Sequence, residues 1–111
     1  MHITLSAILR LFRRNLRARA MGFSFAGTSR FRAPSSFIYK SRRVSLNLPQ
    51  EPGLNYDFIN LILDDEYGLE KLDAKPKTII DIGANIGLFS LWAGLCFPKA
   101  IIHSYEPNAR L

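Results

Sequence analysis

A short apolar run that ends in two glycines four residues apart constrains this chain more than any other feature. The run TIIDI, residues 78–82, is rich in β-branched side chains and lies between Pro76 and Gly83. Such a segment is typical of a strand that is buried on both faces of a parallel sheet. Gly83 and Gly87 bracket the turn GANIG, where glycine permits positive φ and lets a ligand approach the backbone closely. We therefore expect a strand, then a sharp turn that is open to a ligand.

A helix and a second strand follow this turn in the sequence. Apolar residues recur at helical spacing after the turn, and Pro98 marks the end of the helix. Residues 100–105, AIIHSY, predict the second strand. Strand, glycine turn, helix and strand in this order predict an α/β chain that begins a doubly wound, Rossmann-like fold with parallel neighbouring strands.

The charges around the turn restrict its ligand. In open α/β sheets ligands bind at the carboxyl ends of the strands, where Asp81 lies. Glu106 ends the second strand 19 residues after Gly87, a spacing at which an acid accepts hydrogen bonds from ribose hydroxyls. No Lys or Arg occurs between Thr78 and Pro98, and the Walker and dinucleotide-binding glycine patterns are both absent. S-adenosylmethionine, with its sulfonium and ammonium groups, fits this charge better than a pyrophosphate does.

The same motifs carry a resemblance to a known family. KTIIDIGANIGLFSLWAG and HSYEPN resemble the first motifs of class I S-adenosylmethionine-dependent methyltransferases, and IIDIGANIGLFSL with EPN is similar to the FkbM-type methyltransferase family. DDEYGLEKL resembles the lead-in found there, so that the likeness covers residues 54–111. The resemblance implies contacts with the methionine end of the cofactor, and with its ribose through Glu106, at six residues: Asp81, Gly83, Ala84, Asn85, Gly87 and Glu106.

The activity that this resemblance implies is transfer of a methyl group to a hydroxyl of a small molecule or a sugar. Catalysis of this kind depends mainly on positioning the acceptor oxygen. The resemblance assigns no general base, so no catalytic residue is predicted, and no metal site is predicted either. In the family pattern the adenine pocket, the remaining strands and the acceptor site all follow EPN. We therefore expect the 111-residue chain to hold an N-terminal portion of the domain, weakly folded and inactive alone.

Charge divides the chain into two parts. Residues 1–50 carry nine Arg, one Lys and no acid, whereas residues 51–111 carry nine acids and five basic residues. We predict a basic arm and linker over 1–50 and the methyltransferase portion over 51–111. Within the arm, residues 4–20 predict an amphipathic helix with its apolar side chains on one face and its arginines on the other: Leu5, Ile8, Leu9, Phe12 and Leu16 against Arg10, Arg13, Arg14 and Arg17.

Three roles are open for this helix: an ordinary surface helix or tail, a contact with anionic membrane, or an organelle-targeting peptide. Nucleic-acid binding is not expected, because no reader motif accompanies the charge. The alternative function for the whole chain is therefore a non-enzymatic protein that binds a membrane or partner through this helix. A membrane-spanning run and a secretory signal are both absent from the sequence, which favours a cytoplasmic protein or one bound peripherally to a membrane.

The remaining segments are expected to be structural. The stretch GFSFAGTSRFRAPSS, residues 22–36, predicts an irregular linker. Residues 36–48 contain short extended pieces, and residues 55–63 predict a helix with Asn55 as its N-cap. Several reactive residue types are expected not to act chemically. Trp92 and Cys96 are expected to be buried, and His103 to be packed or exposed at a strand edge. The acidic run Asp64, Asp65 and Glu66 is expected to be solvated.

Overall fold

The computed structural model describes residues 3–49 and 51–107. Asn108, the last residue of the HSYEPN motif, lies outside these residues. The chain is an α/β protein with two small sheets, which confirms the predicted class; the doubly wound methyltransferase architecture stays a prediction. The elements in chain order are α1 (Leu5–Ala20), β1 (Ser36–Tyr39), β2 (Arg42–Ser45), α2 (Leu54–Phe58), a π-helical segment (Ile59–Leu63), a 3-10 turn (Leu69–Lys71), β3 (Thr78–Ile82), α3 (Leu88–Cys96) and β4 (Ile101–Tyr105).

The strand–turn–helix–strand unit forms as predicted. β3 and β4 pair in parallel, with Thr78 opposite Ile101 and Ile82 opposite Tyr105. Helix α3 connects the two strands and packs against one face of the pair, where Gly94 lies close to the side chain of Ile102. The carboxyl ends of both strands therefore lie at the same edge of the sheet, next to the glycine turn.

The other face of β3 is exposed. Ile80 and Ile82 are 62% and 83% exposed, so the expectation of a strand buried on both faces is wrong. Side chains alternate along a strand, and α3 covers the face that carries Asp81, whose carboxylate contacts the helix. The apolar run thus predicted the strand correctly, but it did not predict which face of the sheet is covered.

The extended pieces after residue 35 form an antiparallel hairpin. β1 and β2 pair from Ser36 opposite Ser45 to Tyr39 opposite Arg42. The two loop residues, Lys40 and Ser41, have φ of 48° and 65°. Positive φ at both positions is characteristic of the type I′ turn, whose twist matches that of the strands.

The predicted helix over 55–63 exists, but it has two parts. An α-helical turn leads into the π-helical segment, in which Asp64 N–H donates to the Ile59 carbonyl at 2.8 Å. The predicted N-cap is wrong, because Gly53 precedes the helix and no side chain caps it. The Asn55 side chain instead accepts a hydrogen bond from the backbone N–H of Ala33 at 2.8 Å, which ties the linker to this helix.

One hydrophobic core joins the basic arm to the rest of the chain. Residues 22–35 are irregular as predicted, yet Phe23 and Phe31 pack against Phe58 with ring centroids less than 6 Å apart. The predicted division at residue 50 stays a prediction, although side chains from both parts lie in this cluster. Its largest buried members are Phe31, Phe37, Phe58, Ile59, Ile62, Leu88 and Trp92.

Helix α1 forms as predicted, with Thr4 as its N-cap at 3.1 Å from Ala7 N. It packs through the side that carries Arg14, Arg17 and the fully buried Ala18. Its apolar residues point away from the core and remain more than 40% exposed: Leu5, Ile8, Leu9, Leu11, Phe12 and Leu16. In the part of the chain that the structure describes, no helix is long and apolar enough to cross a membrane.

Candidate functional site

The turn between β3 and α3 has the backbone conformation that its glycines predict. Gly83 and Gly87 have φ of 74° and 87°, and Asn85 between them has φ of 54°. The backbone N–H groups of Gly83 and Ala84 donate to the Tyr105 carbonyl at 2.8 and 3.0 Å. The turn is therefore anchored to the last residue of β4, and its outer surface faces the edge where both strands end.

Glu106 lies against this turn. The backbone N–H of Asn85 donates to Glu106 Oε2 at 2.5 Å. Two of the predicted cofactor residues, 21 positions apart in the sequence, are thereby in direct contact. The carboxylate predicted to bind a ribose is thus at the expected edge of the sheet, where it also accepts a hydrogen bond from the turn.

Asp81 belongs to a polar network beneath the turn. Ser90 Oγ, in the first turn of α3, donates to Asp81 Oδ2 at 2.7 Å and lies 2.5 Å from Ser104 Oγ. The network links β3, α3 and β4 through three half-buried or exposed side chains. It fixes the position of the Asp81 carboxylate relative to the glycine turn.

A cavity of about 590 Å³ opens on this turn. Asp81, Gly83, Ala84 and Asn85 line it, whereas Gly87 and Glu106 do not. Its wall contains three carboxylates and no Lys or Arg among the described lining residues; the carboxylates are those of Asp57, Glu66 and Asp81. The cavity is therefore electrostatically suited to a cation and unfavourable for a polyanion.

Part of this cavity comes from residues that the sequence did not assign to a site. Asp57 and Asn60 reach it from α2 and the π-helical segment, while Glu66 and Tyr67 reach it from the loop that follows. The Tyr67 ring meets the Phe89 ring edge-on, with centroids 5.4 Å apart. The resemblance of DDEYGLEKL to the family lead-in pointed toward Glu66 and Tyr67. Nothing in the apolar spacing of the helix pointed toward Asp57 or Asn60.

The other acids of the DDE run hold the fold together. Asp64 binds the Arg14 guanidinium through both oxygens, at 2.9 and 2.6 Å. Asp65 accepts hydrogen bonds from three donors: Leu69 N, Glu70 N and Trp92 Nε1, at 3.0, 2.9 and 3.0 Å. Within residues 3–49 and 51–107, no cluster of three or more His, Cys, Asp or Glu side chains could hold a metal.

A second cavity, of about 510 Å³, lies at the opposite end of the sheet. Burial of Cys96 in its wall raises the pKa of the thiol to about 11. The neighbouring Tyr39 hydroxyl donates a hydrogen bond to Glu70 at 2.9 Å. The pKa of Tyr39 is raised, mainly by burial and secondly by this hydrogen bond. Because Cys96 is held as a neutral thiol, it is not suited to act as a nucleophile.

Comparisons with known proteins give one partial match. No protein-family model and no solved structure matches the chain. The chain is similar to the AMB antimetabolite synthetase AmbE of Pseudomonas aeruginosa, with 33% identity over 69 residues. These residues are 61% of this chain but only 3% of that protein. A match that spans so little of the relative does not assign the chain to a family.

Proposed function

We propose that the chain carries the methionine-binding part of an S-adenosylmethionine site, in a methyltransferase of the FkbM type. The proposed acceptor is a hydroxyl of a small molecule or a sugar, which rests on the family resemblance, and the proposed location is the cytoplasm. The observation that carries the proposal is the cavity at the β3–α3 turn. Three carboxylates and no described Lys or Arg line it.

The charge of this cavity discriminates between the nucleoside ligands that such a turn can hold. Asp57, Glu66 and Asp81 together supply three negative charges, which attract a sulfonium and an ammonium group and repel phosphates. Tyr67, an aromatic residue of the kind that attracts cations, lies in the same wall. A dinucleotide or nucleoside triphosphate would instead require donors and cations around the turn.

Open space around the backbone of the turn also supports the proposal. If Gly83 or Gly87 carried a Cβ atom, that atom would have no neighbour within 4 Å, so the backbone there is open to an approaching molecule. Asp81 and Glu66 line the same cavity and are the residues proposed to bind the ammonium group, and Glu106 lies at the end of β4 beside the turn. When bound, S-adenosylmethionine supplies an electrophilic methyl group; these residues bind and orient it. No described residue is assigned as a general base.

Equilibrium dialysis with three ligands tests this proposal. S-adenosylmethionine and S-adenosylhomocysteine differ by the sulfonium methyl and its charge, whereas ATP is a polyanionic nucleoside. We expect the chain to bind S-adenosylmethionine more tightly than S-adenosylhomocysteine, and not to bind ATP. The double variant Asp57→Asn, Glu66→Gln should lose this preference, while Asp73→Asn, outside the cavity, should keep it. Equal binding of the two sulfur compounds, or tighter binding of ATP, would overturn the proposal.

A further inference from the structure

We infer that helix α1 binds the surface of an anionic lipid bilayer through its outward face. This face, called the apolar stripe below, comprises Leu5, Ile8, Leu9, Phe12 and Leu16. The inference does not depend on the proposed methyltransferase activity, because it concerns a different surface of the molecule. It follows from how α1 is attached to the core and from the charges that surround the stripe.

Two arginines determine which side of α1 faces the core. Arg14 is held by both oxygens of Asp64, and the pKa of its guanidinium is raised, chiefly by that hydrogen bond. Arg17 pairs with Glu70 at 2.7 Å and donates to the Ile62 carbonyl at 3.0 Å. With these bonds made, the side of the helix that carries the apolar stripe points away from the protein.

The apolar stripe is exposed to an extent that is unusual for a folded chain. Each of its five side chains is 51% to 71% exposed, and they lie on consecutive turns of one helix. A continuous row of large apolar side chains on a surface marks a site of contact with a membrane or another protein. None of the described residues covers it.

The charges beside the stripe indicate what the partner is. Arg13 lies four residues after Leu9, and Arg19 lines a shallow groove with Phe12 and Leu16. Within the described residues, Arg10, Arg13 and Arg19 form no salt bridge, and no acid occurs in residues 1–50. Apolar side chains bordered by arginines match the interface of an anionic bilayer, where the former enter the acyl region and the latter reach the headgroups.

Other partners match this surface less well. A second copy of the chain would bring two rows of arginines together, and their repulsion opposes pairing of the stripes. Nucleic acid would use the arginines, but its phosphate backbone offers nothing to five exposed apolar side chains. The anionic bilayer is the partner that satisfies both properties of the helix.

Vesicle sedimentation with the full 111-residue chain tests the inference. We expect the chain to sediment with phosphatidylcholine vesicles that contain phosphatidylserine, and not with pure phosphatidylcholine. The triple variant Arg10→Gln, Arg13→Gln, Arg19→Gln should lower partitioning by roughly 5-fold per arginine, about 100-fold in total. Phe12→Ser should lower it by about 10-fold, because a large buried apolar group is lost.

A charge-matched variant provides the control. Lys75→Gln, Lys77→Gln, Lys99→Gln removes the same charge at the second cavity, at the opposite end of the sheet, and should leave vesicle binding almost unchanged. Circular dichroism of each variant would show that the fold is kept, since all the altered arginines and lysines are exposed. Equal binding to neutral vesicles, no binding, or equal losses in both triple variants would overturn the inference. So would a dimer in light scattering that Phe12→Ser abolishes.

Discussion

The backbone N–H of Asn85 donates a hydrogen bond to the carboxylate of Glu106 at 2.5 Å. This bond joins the middle of the glycine turn to the residue that follows β4. Together with the bonds from Gly83 and Ala84 to the Tyr105 carbonyl, it makes the shape of the turn dependent on the parallel partner strand. The proposed ligand-binding edge is thus built by two segments that are separated by helix α3.

Glu106→Ala should weaken the binding of S-adenosylmethionine by about 1 to 3 kcal/mol, because the proposed bonds to the ribose and the bond to the turn are both lost. Isothermal titration calorimetry measures the change directly. Asp73→Ala serves as the control, since this exposed acid lies outside the cavity. An affinity that Glu106→Ala leaves unchanged would remove Glu106 from the site.

Two glycines of the same segment should respond to alanine in opposite directions. Gly87 has φ of 87° and ψ of 13°, a left-handed conformation in which alanine costs about 1 kcal/mol. Gly94 lies inside α3, where alanine should add up to about 1 kcal/mol, since a Cβ would meet Ile102 at an ordinary 3.5 Å. Urea unfolding of both variants gives the two free energies. A destabilisation of equal size at both positions would contradict the backbone explanation.

Asp65→Ala should destabilise the fold by about 2 to 3 kcal/mol, because it removes a backbone cap and leaves the buried Trp92 indole N–H without its acceptor. Asp65→Asn should cost less, since asparagine retains one acceptor oxygen and tolerates the positive φ of 48° found here. Trp92 is the only tryptophan, so its fluorescence reports unfolding in both variants. Equal stability of Asp65→Ala and the parent chain would show that these bonds contribute nothing.

Cys96 should react slowly with thiol reagents at pH 8. Burial raises the pKa of its thiol from 9.0 to about 11, so the reactive thiolate is scarcer in the folded protein than in the unfolded one. The thiolate fraction changes about 10-fold per pKa unit well below the pKa, which predicts a rate about 100-fold lower in the folded chain. Ellman's reagent, with and without urea, measures this ratio, and similar rates in both states would contradict the buried environment.

The β3–turn–α3–β4 unit could be predicted because its signals are local. Within residues 78–105, a β-branched run predicts the first strand, two glycines that adopt positive φ predict the turn, and a helical apolar period predicts α3. These local signals agree with one another and with the observed unit. The contact between Asn85 and Glu106 also follows, since parallel neighbouring strands bring their carboxyl ends together.

The orientation of α1 could not be predicted in the same way. Amphipathic spacing normally places the apolar side of a helix on the core, but here Arg14 is bound by Asp64, 50 residues away. The phenylalanines of the irregular linker fill the core in place of that apolar side. The acidic wall of the cavity could not be predicted either, because Asp57 and Asp81 come to line one cavity only through tertiary packing.

The most direct test of the central claim is an NMR titration of the ¹⁵N-labelled chain with S-adenosylmethionine. The account predicts that the amide resonances of Gly83, Asn85 and Gly87 shift on addition of this ligand and that the Asp57→Asn, Glu66→Gln variant reduces the shifts. Amides of the second cavity, such as that of Lys77, should not move. If the amide resonances of the turn do not shift even at a high concentration of S-adenosylmethionine, the turn does not bind this ligand and the proposed function is wrong.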